Sequence, residues 1–229
     1  NRLCGTERAF IETYTVEGFI KNSLVAKVHP QGLRWVTRSE KIDSRYCRDY
    51  VAKAVKTVFE SSEFNRAPWN TFDDKQKTRF IIEEISFVRT RLTPDKYDDY
   101  CSAEFKRVGR EIPMQENLRR IMLKAIRDYE ADIARVHWAD HETMSHAAVQ
   151  YINNEGYKKY RAVMIDEVQD LSQNDLRAIG LMKNIEDVPL MNAPNSLFLV
   201  GDGAQTIYKN GFSLKKLGIN VAGRSFAFK

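Results

Sequence analysis

Cysteine is scarce in this chain: three in 229 residues, at Cys4, Cys47 and Cys101, far apart and with no Cys-x-x-Cys pair. That excludes a disulfide-framed scaffold and a thiolate zinc site, and it fits reduced thiols in a cytoplasmic setting. No run of about 20 apolar residues occurs, so no bilayer-spanning helix is predicted. The first thirty residues mix charged and apolar side chains throughout, unlike a secretory leader. Repeats and low-complexity segments are absent. His137, His141 and His146 gather around Trp138, but no His-Glu-x-x-His pattern accompanies them, and the ordinary reading is a solvated or half-buried helix face. Nowhere does Gly-x-x-x-x-Gly-Lys-Ser/Thr occur, so these residues hold no lysine-bearing loop to cradle phosphates. An excess of one charge sign is also missing: 36 Lys and Arg stand against 31 Asp and Glu, a net charge of +5. This permits a polyanionic partner without demanding one.

What is present is the composition of a globular protein, 43% hydrophobic and 29% charged, long enough for one large domain or two small ones. The chain opens at Asn1 and closes at Lys229 just after an apolar run, and both ends read as cuts through a longer protein or as the ends of a processed chain. Phe10–Val16 leans towards strand. Asp43 or Ser44 is a cap for a helix reaching Glu60, and Thr71 precedes a run with Phe80, Ile81, Glu84, Ile85 and Val88 at helical spacing. Thr93-Pro94 starts a predicted helix over Asp95–Lys106, with Gly109 ending it. Pro113 opens the longest one, whose apolar stripe is Leu118, Ile121, Met122, Ala125, Ile126, Tyr129 and Ile133. A further helix is expected over Glu142–Ile152, stopping near Gly156. Trp35 and Trp69 read as core. Lys106, Arg107, Arg110, Arg119, Arg120, Lys124 and Arg127 crowd around one helix start, either as a solvated face or as a contact for the phosphates of duplex DNA.

The last third alternates strand, helix and strand. Ala162–Ile165 is a short apolar run ending in two acids, Ser172 is a natural N-cap for a helix to Met182, and Leu197–Val200 is a second buried strand. Phe226-Ala227-Phe228 is a candidate third. A strand–helix–strand unit of this length implies a right-handed crossover in a parallel sheet, whose working groups lie beyond the carboxyl ends of the strands. Asp166-Glu167 stands at one such end. One carboxylate can hold magnesium while the other orients and deprotonates a water, the two roles phosphoryl transfer needs. The alternative is that these acids only cap the next helix. At the second strand end, Gly201 and Gly203 permit a tight turn, and Gln205 has both a donor and an acceptor suited to a terminal phosphate and its water. Taken singly, Gly-Asp-Gly is an ordinary turn and Tyr208 a half-buried aromatic. Together, at two strand ends joined by one helix, the clusters are far more specific.

Val163–Leu171, with Asp166-Glu167-Val168-Gln169-Asp170, closely resembles the Walker B segment of UvrD/Rep/PcrA-like superfamily I DNA helicases, and Val200–Tyr208 resembles their motif III. Order and spacing agree. The Phe80–Arg91 and Tyr97–Arg110 stretches look like an inserted helical arm found in a bacterial branch of that family. Thr15-Val16-Glu17 sits roughly where the family has a Thr-x-His DNA contact, with Glu17 in place of histidine. The resemblance implies an α/β fold, part of a RecA-like P-loop NTPase parallel sheet with a large, mainly helical insertion. Its divisions would be a remnant of the RecA-like domain over 1–35, the arm over 36–155, and the half carrying Walker B and motif III over 156–229. It implies that Asp166 coordinates Mg2+ of bound ATP and that Glu167 polarises the hydrolytic water. Gln205 would contact the γ-phosphate, Tyr208 would stack on a base of single-stranded DNA, and Gln169, Asp170 and Asp202 would brace the site. Arg107, Arg110, Arg119 and Arg120 would meet DNA. The sequence departs from the family at Gly203 and Ala204, where further acids are common, and at Asn210, where many members have tryptophan. The missing phosphate loop and second RecA-like domain imply that these residues alone do not hydrolyse ATP and that their partners include the remainder of a helicase as well as single-stranded and duplex DNA, with no membrane. The alternatives are a helicase-derived module that binds DNA or protein without turnover, and an RNA-directed helicase.

Overall fold

The computed structural model describes residues 11–25, 34–35, 48–157, 160–184, 186–201, 214–220 and 223. Among them no helix is long and apolar enough to cross a membrane.

The chain enters through α1 (Val16–Phe19), which passes into a π-helical turn over Ile20–Val25. The β-leaning stretch before it forms no strand over residues 11–15. Thr15 decides this locally: its Oγ1 accepts from the Gly18 amide at 3.0 Å, an N-cap that starts a helix where β-branched residues suggested extension. A strand does come from the amino-terminal part, β1 (Arg34–Trp35), and it pairs in parallel with β2 (Trp138–Ala139).

Three long helices form the first core. They are α2 (Arg48–Phe59), α3 (Asp74–Arg91) and α4 (Glu116–Arg135). The candidate caps Asp43 and Ser44 lie outside the described residues. The start expected after Thr71 shifts by two residues. Trp69–Thr71 makes a 3-10 turn, and Asp73 caps α3 by accepting from the Gln76 amide at 2.7 Å while the Gln76 side chain accepts from the Asp73 amide at 3.0 Å. Trp69 is core, as expected, packed on Phe64 and Phe80. The stripe on α4 is buried as read, except that Ile121 is half-buried and Leu123 joins it. The helix expected over Asp95–Lys106 is instead a 3-10 segment, Pro94–Cys101. The carbonyls of Tyr100, Ser102 and Phe105 find a partner elsewhere, since the Arg119 guanidinium donates to all three at 3.2–3.4 Å. With those acceptors satisfied by a side chain, further helical turns offer no gain.

A second core gathers α5 (His141–Glu155), β3 (Val163–Ile165), α6 (Gln173–Leu181) and β4 (Leu197–Leu199) with Phe19, Leu24 and Val25 from the amino-terminal segment. The division drawn from sequence places α5 with the arm, whereas its apolar residues Met144, Ala148, Val149 and Ile152 pack in this second core. Ser172 caps α6 in a capping box with Asp175, and Gly156 ends α5 at φ 70°, both as read. β3 and β4 are parallel, in register Val163↔Leu197, Met164↔Phe198 and Ile165↔Leu199. One face of this pair packs inward through Ile165, while Met164 and Phe198 on the other are 81% and 57% exposed.

Candidate functional site

Both sites of interest begin at the ends of these elements. Strand β3 delivers Asp166 and Glu167, both exposed, to its carboxyl end. The chain then reverses sharply: Glu167 adopts left-handed backbone angles (φ 51°, ψ 43°), a conformation that is costly for a side chain larger than glycine. Its amide donates to Asp166 Oδ1 at 2.9 Å, and a 3-10 turn, Val168–Asp170, follows. The Gln169 amide group donates to Glu167 Oε2. The Val168 amide donates to the Val200 carbonyl at 3.0 Å, which fastens the turn to the end of β4.

That fastening explains Gly201. A Cβ there would lie 2.6 Å from Gln169 Oε1 and 2.7 Å from Val168 Cγ1, closer than such atoms approach. Two residues past β4, Gly201 leaves room for Gln169 to lie over it and reach Glu167. Among the described residues neither Asp166 nor Glu167 forms an ion pair. They are two adjacent oxygen donors held by their own turn, open to a cation. Asp170 is exposed beside them. Asp202, Gln205 and Tyr208, expected at the second strand end, lie outside the described residues, as does Phe226-Ala227-Phe228.

The four arginines expected to meet DNA have different surroundings. Arg107 donates to both oxygens of buried Glu84 at 2.7 Å and to the Ile112 carbonyl. Arg110 reaches Glu84 at 2.9 Å and Glu83 at 3.0 Å. Arg119 holds backbone carbonyls, as above. These three are engaged inside the arm, and only Arg120 is exposed, in an i,i+4 pair with Glu116. The histidines do not converge. His141 Nε2 lies 3.1 Å from Asp175 Oδ2, while buried His146 uses Nε2 on the Arg89 carbonyl at 2.8 Å. No group of three or more His, Cys, Asp or Glu among the described residues is arranged to hold a metal.

One charged centre had no signature in the sequence. Arg89 is completely buried near the end of α3 and forms a two-pronged pair with Asp140, at 2.7 and 3.0 Å, and a third bond to Glu130 at 2.8 Å. Burial by itself would raise the Asp140 pKa, but the Arg89 charge and bonds, with those from Tyr129 and Thr143, hold it at about 2. Asn174 on α6 donates to the Arg89 and Leu92 carbonyls at 2.8 and 3.1 Å. This cluster joins α3, α4, α5 and α6.

The family model for the UvrD/REP helicase N-terminal domain matches residues 13–212. No curated protein and no solved structure matches the chain.

Proposed function

The chain belongs to the UvrD/REP helicase family through its N-terminal domain, and on that premise we propose that Asp166 and Glu167 are the magnesium-holding and water-activating carboxylates of an ATP-dependent DNA helicase. The observation that carries this reading is their position: adjacent, exposed and without ion pairs among the described residues, at the carboxyl end of a parallel strand whose neighbour ends at Leu199, two residues before Gly201. The donor set suits Mg2+, which keeps much of its water and takes one or two carboxylates along with substrate phosphates. Bound ATP with Mg2+ would supply the transferable phosphoryl group and neutralise its charge. Asp166 holds the ion. Gln169 binds Oε2 of Glu167, fixing that carboxylate and leaving Oε1 to take a proton from water.

Gln205 senses the terminal phosphate, and Tyr208 stacks on a base of single-stranded DNA, so that hydrolysis is converted into movement along the strand and separation of the duplex. Asp170 and Asp202 brace the turn. The arm, drawn from sequence over 36–155, is an insertion into the RecA-like unit formed by 1–35 and 156–229, with α5 at its end packed against that unit, and Arg120 contributes to DNA contact there. The phosphate-cradling loop comes from outside these residues. Hydrolysis of ATP in the presence of single-stranded DNA, measured on the longer protein that carries this domain and such a loop, tests the reading. Glu167→Gln should lower turnover by about 10²–10⁴-fold with ATP binding retained, and Asp166→Asn should raise the Mg2+ concentration required. Undiminished turnover in Glu167→Gln refutes the assignment.

A further inference from the structure

Gly201 lacks a side chain for a reason other than backbone freedom. Among the described residues the glycines with left-handed angles are Gly109, Gly156, Gly218 and Gly223. Gly201 is not one of them, so the tight turn foreseen there does not itself require glycine. What requires it is space. The Val200 amide donates to the Ile165 carbonyl at 2.8 Å, and the Val168 amide returns a bond to the Val200 carbonyl at 3.0 Å. These two bonds hold residue 201 against the turn that carries Glu167, where a Cβ would meet both Gln169 Oε1 and Val168 Cγ1.

The two neighbours differ in what they can yield. Val168 is buried and branched at Cβ, which stiffens its rotamer. Gln169 is half-buried, and its amide group ends a flexible side chain. A methyl group at position 201 therefore displaces the Gln169 amide, the group that donates to Glu167 Oε2. The backbone of the turn is held separately, by the Val168 amide on Val200 and by the Asp170 amide on the Glu167 carbonyl at 2.9 Å. Loss of the Gln169 contact frees the carboxylate and leaves the turn in place.

We propose that Gly201 is a positioning residue for Glu167, acting through Gln169. The bare backbone beyond one strand aims the carboxylate at the end of the other. The role rests on Glu167 being the water-activating carboxylate, and it adds a means of control to that site. Residues 202–208 follow directly on Gly201 in the chain. A shift of the Gly201 backbone towards Gln169 does what a methyl group there would do, so the aim of Glu167 is tied to the segment in which Gln205 stands.

Two measurements test this. In the 229-residue chain, proton–nitrogen NMR follows the Gln169 side-chain amide, identified as the signal that Gln169→Met removes. Its protons should exchange with solvent more slowly than those of exposed glutamines. Gly201→Ala should bring them to the exposed rate, while the backbone amides of Val168 and Asp170 keep theirs. This readout does not depend on hydrolysis. In the longer protein that carries a phosphate-cradling loop, Gly201→Ala and Gln169→Met should each lower kcat about tenfold with KM for ATP unchanged. The double variant should also lose about tenfold, not about a hundredfold, because both changes remove one contact. Gly180→Ala, which brings a Cβ to 2.9 Å from the flexible end of Met191, should leave kcat unchanged. Losses that multiply in the double variant overturn the proposal, as does a Gln169 amide that stays protected in Gly201→Ala. Gln169→Met adds no bulk at position 201, so undiminished kcat in that variant overturns it even where Gly201→Ala fails to fold. Undiminished turnover in Glu167→Gln removes the base itself; loss there with full turnover in Gly201→Ala removes only the positioning role.

Discussion

His141 sits in the first turn of α5, where the helix N-terminus disfavours a cation. Burial also works against the imidazolium, yet the hydrogen bond and charge of Asp175, aided by Glu142 and Glu17, raise its pKa to about 9. A raised histidine pKa means that the folded state holds a proton the unfolded chain releases. Its stabilising contribution is complete below about 6.5 and disappears as pH rises through 9. Glu142 beside it is buried with neither carboxylate oxygen hydrogen-bonded, and burial first, then the Asp175 charge, lifts its pKa to about 7. The folded state keeps that proton while the unfolded chain gives it up above 4.5, so stability falls from 4.5 to 7. The two windows adjoin, and the unfolding free energy should decline from mildly acidic pH to pH 9. The His141 part should be about 3 kcal/mol. Urea unfolding across this range should show the decline, and His141→Gln should flatten it above pH 6.5. A profile as steep in that variant removes His141 as the cause.

Helix α3 shows how a local signal fixes an element. Its capping box satisfies two backbone amides with the side chains of Asp73 and Gln76, so Asp73→Ala should cost about 1 kcal/mol in thermal or urea unfolding, while Asp74→Ala next to it should cost little. Signals of this kind made much of the architecture legible: Ser172 before α6, Gly156 after α5, the stripe of α4, and the two apolar runs that became β3 and β4. The expectations that failed did so where a distant or competing group intervened. Arg119 took the carbonyls that a helix after Cys101 would have used, and Thr15 capped a helix in a stretch rich in strand formers. The candidate site divides the same way. The placement of Asp166 and Glu167 at a strand end was readable because strand, acids and helix are contiguous. The contact of Gln169 over Gly201 was not, because it depends on the register of β3 against β4. Nor was the engagement of Arg107 and Arg110 with Glu84, which only the folding of the arm brings together.

The two cores meet through Arg89. Its guanidinium binds α4 and the start of α5, and its carbonyl receives donors from α5 and α6. Removing one member of a buried pair leaves the other charge uncompensated, so Arg89→Met should destabilise the chain by about 3–5 kcal/mol. Because the pair spans the join, the loss should also uncouple the halves. Trp69 and Trp138 lie within or against the arm core. In Arg89→Met their fluorescence should change at a different urea concentration from the helical circular dichroism, whereas the parent chain should show one shared midpoint. Coincident midpoints in the variant place the coupling elsewhere.

Arg89 and Asp140 stand 51 residues apart in the chain, and neither can be exchanged alone without stranding its partner in the interior. Over generations such a pair should be inherited as a unit. A descendant that loses one must lose both within a short interval, or must already have reshaped Glu130, Tyr129 and Thr143 around the survivor. The route by which this arm drifts in sequence is therefore narrower at its root than along its exposed helices, and two lineages that differ at Arg89 should differ at Asp140 as well.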